Sequence, residues 1–324
     1  MSESRKRPSI VVTSPIPASG LELLHNVGDV WTWEGEGSVP IELRDDQLAD
    51  ADAVVTLLGD RVDDAFLDAA PNLKVVANVA VGYDNIDVAA CAARGVVVTN
   101  TPDVLTDATA DLAMALVLMT TRRLAEGERL LRSGEPWKWG MFMMLGSGLQ
   151  QRRLGIIGMG GIGSALAKRA TAFGMEIVYY NRHRVSAEVE ASLGASLVSF
   201  DELLATSDVI SVNCPYSADT HHLIDTAALA AMRPSAVLVN TARGAIVDEA
   251  ALVAALESGE IAGAALDVFE HEPELHTGLR ALDNVVLTPH LGSATQETRS
   301  AMADLAARNV ASVLDGSGPL TPVS

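Results

Sequence analysis

Short apolar runs and amphipathic stretches alternate along the N-terminal third of the chain. "SIVVT" (Ser9–Thr13), "DAVVTLL" (Asp52–Leu58), "LKVVANV" (Leu73–Val79) and "GVVVTN" (Gly95–Asn100) are continuously apolar at their centres. That predicts strands buried on both faces. Helical spacing lies between them, as at Phe66–Ala70 and Val88–Arg94, and the alternation implies an α/β unit with a parallel sheet. Thr101-Pro102-Asp103 punctuates the pattern. The apolar run Thr106–Gly134 then predicts one long helix, capped by Thr106 or Asp107 and buried at an inter-domain or inter-subunit interface. A second series follows, with strands expected at Arg153–Gly158, Glu176–Tyr180, Asp208–Cys214, Ala236–Thr241, Gly263–Val268 and Asn284–Pro289. The pattern turns helical again from Ser293 to Leu314.

The second series opens on "GIIGMGGIG", which contains Gly158-x-Gly160-x-x-Gly163. A lone glycine pattern says little. Here it follows an apolar strand and opens an amphipathic helix ending near Gly174, which is the setting a dinucleotide needs. Gly158 permits the tight turn, Gly160 admits the pyrophosphate and Gly163 allows close helix–strand packing. Met159, Gly161 and Ile162 complete the backbone cradle, and the helix N-terminus adds N–H donors.

The next strand ends in "YYNRHR" (Tyr179–Arg184). An NAD site places an acid here to accept from the ribose hydroxyls. This chain has neutral Asn181, and the next acid is Glu188, in the following helix. A carboxylate would repel a 2′-phosphate; Asn181 does not, and Arg182, His183 and Arg184 can donate to one. The reading is NADP (NADPH), with NAD as the other candidate. An arginine here can instead stack on adenine.

Composition narrows the partners. The 324 residues suit two domains, and a net charge of -19 argues against nucleic acid and anionic membranes. Two cysteines make no disulfide framework, and the apolar run after Arg5–Arg7 is too short for a signal peptide. A cytoplasmic protein with no membrane span is expected. "HEPELH" (His271–His276) has the wrong spacing for zinc, and Pro273 blocks the helix a zinc protease needs. His221 and His222 are expected to face different ways at a helix start.

"LLATSDVISVNCPYSADTHHLI" (Leu203–Ile224), "VLVNTARGAIVDEAAL" (Val237–Leu252), "ALDVFEHEP" (Ala265–Pro273) and "LTPHLGSAT" (Leu287–Thr295) together resemble the D-isomer-specific 2-hydroxyacid dehydrogenase family. The run Val76–Asp111 is most similar to its glyoxylate and hydroxypyruvate reductases. The resemblance implies two doubly wound parallel-sheet domains: a Rossmann cofactor domain (102–289) inserted into a flavodoxin-like substrate domain (1–101 and 290–324). It places the active site in a cleft between them and implies a homodimer.

Three residues match the family's catalytic positions. Arg243 would grip the substrate carboxylate and the adjacent carbonyl oxygen, which a planar, permanently charged fork does with defined orientation. His290 would exchange a proton with that oxygen; an ordinary imidazole pKa of about 6.5 suits a two-way exchange. Glu272 would fix the imidazole tautomer; formate-oxidising relatives carry Gln there.

For the substrate, the resemblance adds Asn78 and the N–H groups of Val81 and Gly82. Around the nicotinamide and phosphates it adds Thr109, Cys214, Pro215 and Thr220, then Thr241, Ala242, Asp267 and Ser293. Asp267 would hold the carboxamide. The aromatic stretch Trp137–Gly146 matches a loop that reaches the partner subunit. Gln151 departs from the family's usual glycine in a tight turn.

The leading activity is NADPH-dependent reduction of a small 2-oxo acid to the 2-hydroxy acid, with glyoxylate and hydroxypyruvate foremost. The alternatives are a 3-phosphoglycerate or D-lactate dehydrogenase, and a dinucleotide-sensing, corepressor-like binding protein.

Overall fold

The computed structural model describes residues 7–323; Arg5 and Lys6 of the basic run lie outside them. The chain forms two compact units. One takes the residues up to Leu105 and from Ala294 on; the other is Thr106–Ser293.

The first unit runs β1 (Ser9–Val12), α1 (Ala18–Val27), β2 (Asp29–Thr32), α2 (Ile41–Leu48), β3 (Ala53–Thr56), α3 (Asp64–Asp68), β4 (Val75–Asn78), α4 (Val88–Ala93) and β5 (Val97–Thr99). Its sheet is parallel, in the order β2-β1-β3-β4-β5. The central strands β3 and β4 are buried at every residue, as their unbroken apolar runs require.

The second unit begins with α5 (Thr106–Thr121) and α6 (Leu124–Ser133). The first half of its α/β core is β6 (Arg153–Ile157), α7 (Gly161–Ala172), β7 (Glu176–Tyr180), α8 (Ala187–Leu193), β8 (Ala195–Leu197) and α9 (Phe200–Thr206). The second half is β9 (Val209–Val212), α10 (Thr226–Ala231), β10 (Val237–Asn240), α11 (Glu249–Ser258), β11 (Gly263–Leu266), α12 (Thr277–Arg280) and β12 (Val285–Leu287). Its seven parallel strands lie in the order β12-β11-β10-β9-β6-β7-β8. The direction of winding reverses between β6 and β9, and that switch point is where such sheets bind ligands.

Helix α13 (Gln296–Leu314) returns to the first unit and packs on α1. A Cβ on Gly20 would lie 2.7 Å from that of Ala303, so the two helices meet through their smallest residues. Ala303, Ala306, Ala307 and Val310 bury the α13 face.

Three expectations change. The helix expected over Thr106–Gly134 is two helices, broken at Arg123, which has φ +54°. The cause is tertiary: Ser147 N–H donates to Thr121 O (2.8 Å), and Gly146 sits where any Cβ would meet that oxygen. Within the second unit, α5 packs on α7 and on β10 to β12, with Arg169 of α7 bonding Asp107 and Asp111. His290 falls inside the second unit, not after its end, because Asp267 at the end of β11 binds the turn that carries it. Strands β2 and β8 were not expected. Both are edge strands with partly exposed residues. Among the described residues, no helix is long and apolar enough to cross a membrane.

Candidate active site

Every candidate residue of the second unit except Thr109 and Ser293 follows the C-terminal end of a strand or lies in the helix start just beyond. Gly158 follows β6, Asn181 follows β7, Cys214 follows β9, Arg243 follows β10, Asp267 and Glu272 follow β11, and His290 follows β12. Thr109 lies in α5, and its hydroxyl donates to Gly292 O (3.1 Å).

The glycine turn sits at the switch point. Gly158 has φ +100°, and a Cβ there would lie 2.5 Å from Cys214 N. A Cβ on Gly163 would lie 2.3 Å from Gly158 O, so α7 starts directly against the turn. At Gly160 a Cβ would meet nothing within 4 Å, and no side chain caps the α7 N-terminus. Thr241 Oγ1 and Asn213 Oδ1 are buried and lack partners among the described residues. Open space, uncapped helical N–H groups and orphaned polar atoms at one strand edge fit a dinucleotide.

The turn after β7 divides its charges. Asn181 Oδ1 accepts from Met159 N–H (2.7 Å), so this side chain ties the glycine turn to β7. Arg184 lies in a fork on Glu190, with bonds of 2.9 and 2.7 Å, and Tyr179 Oη donates to the same carboxylate (2.7 Å). The Arg184 charge, then the tyrosine, hold the Glu190 carboxyl below the usual range. Arg182 and His183 are exposed and make no side-chain bond among the described residues. The charge of Arg182 reaches Cys214, but burial dominates there and pushes that thiol up to about 11. Cys214 is therefore a neutral lining group rather than a nucleophile.

Opposite treatment meets the segment from β11 to β12. Asp267 is fully buried and accepts from Thr288 Oγ1 (2.7 Å), Leu291 N–H (2.7 Å) and Gly292 N–H (2.8 Å). These bonds use most of its acceptor capacity. They hold the turn at His290, a non-glycine residue at φ +53°. Sequence reasoning missed this structural task. Glu272 Oε1 accepts from Phe269 N–H (2.9 Å), and Oε2 lies 2.8 Å from His290 Nδ1. Burial raises the Glu272 pKa, but the His290 ring, Phe269 N–H and Arg243 outweigh it, and the net shift is downward. The carboxylate therefore favours a proton on Nδ1. Arg243 stands on the other side of the pair in sequence, with Nη1 donating to Ala242 O (2.9 Å) and its own carbonyl accepting from buried Asn240 (2.9 Å).

Thr220 closes a capping box with Ser217 and bonds Pro215 O (3.0 Å), which shapes the loop after β9. His221 and His222 do not face different ways: their rings stack at 4.0 Å and 20°. The reason is local, since His222 has φ +49°, which turns its side chain back over its neighbour. Among the described residues, no group of three or more His, Cys, Asp or Glu side chains could hold a metal.

In the first unit, Asn78 is fully buried and its amide makes two internal bonds. It accepts from Thr56 Oγ1 (3.3 Å) and donates to Gly82 O (2.9 Å). Asn100 donates to Val81 O (2.8 Å). The loop is thus braced through its carbonyls, and Asn78 acts as the brace.

Residues 114–292 match the family model described as D-isomer specific 2-hydroxyacid dehydrogenase, NAD binding domain. The chain is 48% identical to a glyoxylate reductase of Thermococcus onnurineus, over 98% of this chain and 96% of that one. Among solved structures it resembles a glyoxylate reductase from Paecilomyes thermophila (TM-score 0.89, 36% identity, 98% of each chain). It also resembles an NADPH-dependent glyoxylate/hydroxypyruvate reductase from Sinorhizobium meliloti in complex with NADP and malonate. There the TM-score is 0.87 and the identity 38%, covering 98% of this chain and 97% of the other.

Proposed function

The chain belongs to the D-isomer-specific 2-hydroxyacid dehydrogenase family, and from that premise we propose that it reduces small 2-oxo acids of the glyoxylate and hydroxypyruvate class with NADPH. The observation that carries this reading is the Glu272–His290 bond of 2.8 Å, made on the same strand edge as the glycine turn. The dinucleotide supplies the hydride. Gly158 to Gly163 and the α7 N-terminus would hold its pyrophosphate, and Thr241 is available as a further donor. Arg243 would grip the substrate carboxylate and polarise the carbonyl oxygen. His290 Nε2 would give that oxygen its proton as the carbon is reduced, while Glu272 keeps the ring oriented through Nδ1.

The NADP preference is supported by the turn after β7. Asn181 has the shape of the usual acid without its charge. Arg184 is committed to Glu190, so Arg182 is the cation we assign to the 2′-phosphate. We also assign homodimer formation to the apolar surface around α6, where Leu131, Trp139, Met141 and Phe142 are exposed, Phe142 by 85%. In a cell this chemistry would be cytoplasmic.

The test is a steady-state panel of 2-oxo acids against both cofactors. Glyoxylate or hydroxypyruvate with NADPH should give the highest kcat/KM. A clear NADH preference would remove the NADP assignment, and tight cofactor binding without turnover on any 2-oxo acid would favour the sensing protein. Sedimentation of the full chain should give a dimer, and a monomer would remove that assignment.

A further inference from the structure

The stacked histidines lie outside the chemistry described so far, yet they stand among residues that carry it. His222 Nε2 donates to Glu270 Oε1 at 2.6 Å. Its backbone N–H donates to Ala245 O (2.9 Å), Ile224 N–H to Ile246 O (3.0 Å), and Ile224 forms a parallel bridge with Val247. The segment after Thr220 is therefore laced to the turn that begins at Arg243. Glu270 fastens a third segment: its N–H donates to Glu249 Oε1 (2.8 Å), a carboxylate buried to 4% exposure. Gly244 lies against that segment so closely that a Cβ would be 1.8 Å from the Phe269 carbonyl carbon. Two residues beyond Glu270 stands Glu272.

The left-handed φ of His222, +49°, is a second observation. A non-glycine residue in that region is strained, and such strain persists where surrounding bonds demand it. His290, at φ +53°, is in the same condition. At His222 the bonds that demand it are those to Ala245 and Glu270, with His221 stacked on one face of the ring and Tyr216 edge-on to His221.

We propose that His222 is a positioning residue for the reaction. By holding Glu270, it clamps the segment that carries Glu272 against the turn that carries Arg243, and so sets the carboxylate's place on His290. This rests on the reading of His290 as the proton donor. The groups facing His222 are His221, Glu270 and Asp248, whose Oδ2 lies 3.9 Å from Nδ1. Those facing the Glu272–His290 pair are Arg243 and, beneath the turn, Asp267.

The test compares His222→Ala, His222→Gln and His290→Gln in the full-length enzyme with glyoxylate and NADPH. His222→Ala should lower kcat about tenfold, a displaced catalytic group being costly, with KM for NADPH changed less than about twofold. It should also narrow the bell of kcat/KM against pH. Glu272 is held below the ordinary carboxylate range by His290 and Phe269 N–H, so loosening it moves the acid limb up. Gln offers a donor at the position of Nε2 and should restore both kcat and the acid limb. Glu270→Ala should give the same narrowed bell, and the double variant should be no worse than either single one; this reads the clamp even if His222→Ala does not fold. An Ala variant of unchanged kcat, an unmoved bell, or Gln no better than Ala would overturn the positioning role. If His290→Gln keeps turnover, the proposed mechanism falls and this inference with it. If His290→Gln is inactive while the His222 variants leave the bell unmoved, only the inference falls.

Discussion

After β11, Asp267 accepts three hydrogen bonds and Glu272 contacts both Phe269 N–H and the His290 ring. After β7, on the far side of the switch point, Arg182 and His183 stand exposed, and of the three basic residues Arg184 alone is fixed. The two regions have the same position relative to their strands, yet they order their polar groups oppositely. The proposed proton transfer from His290 runs along one line, so the proposed catalytic corner spends bonds, and tolerates a strained His290, to hold one geometry. The proposed 2′-phosphate would need charge within reach more than a fixed angle, and loose side chains would suffice for it. Catalysis should therefore be brittle to substitution in the first region, and cofactor choice graded in the second.

The strongest way to break this contrast is to remove the chemistry. Arg243→Ala and His290→Gln should each lower kcat/KM for glyoxylate by about a hundred- to ten-thousandfold. Cofactor binding, followed by protein fluorescence quenching, should stay within a few-fold. Retained turnover in either variant would show that the corner is scaffolding.

Next in size is Asn181→Asp. The substitution is isosteric and keeps the bond to Met159 N–H, so the glycine turn should hold its shape. The added charge meets a 2′-phosphate but suits a ribose hydroxyl. The ratio of kcat/KM with NADPH to that with NADH should fall about a hundredfold, some 2.7 kcal/mol. Equal losses with both cofactors would mean that Asn181 matters only to the turn.

That residue also shows how far the amino-acid pattern reaches. The buried strands β3, β4, β9 and β10 were evident because burial on both faces demands an unbroken apolar run. The edge strands β2 and β8 have no such demand, and their partly exposed residues read as loop. The break after α5 was hidden because a distant loop, at Gly146 and Ser147, takes its last carbonyl. At the site, residue types named Asn181, Arg182 and Arg184 as a group. Their division of labour was not evident, since it turns on Glu190, in the helix that follows, and on a tyrosine hydroxyl in need of a partner. Motif position carries no record of the three bonds that Asp267 makes to residues 288–292. The facing of His221 and His222 was misjudged for a related reason: it is set by a left-handed backbone angle, which no side-chain pattern encodes.

A smaller effect would sharpen the division within the β7 turn. Glu190→Gln leaves a partner for Tyr179 but no longer neutralises Arg184. Two cations would then stand near the ribose instead of one. The KM for NADPH should fall about threefold at low salt, with the gain fading as ionic strength rises. A gain of the same size for NADH would place the added charge at the pyrophosphate instead.

The smallest effect lies away from both regions, at Gln151. It takes φ +60° in the turn before β6, with its N–H on Gly174 O (2.8 Å). The chain thus keeps a left-handed turn without the glycine that makes one easy. Left-handed backbone costs a side chain about 1–2 kcal/mol, while glycine adds freedom to the unfolded chain that offsets part of any relief. Gln151→Gly should therefore stabilise the protein by only about 0.5–1 kcal/mol, raising Tm by about 2 °C. Turnover and the NADPH-to-NADH ratio should not move, because neither the glycine turn nor the catalytic corner bonds to this residue. A lower Tm would mean that the Gln151 side chain contributes more than its backbone strain costs, and that this turn differs from the strained turn at His290, where the proposed chemistry needs the side chain.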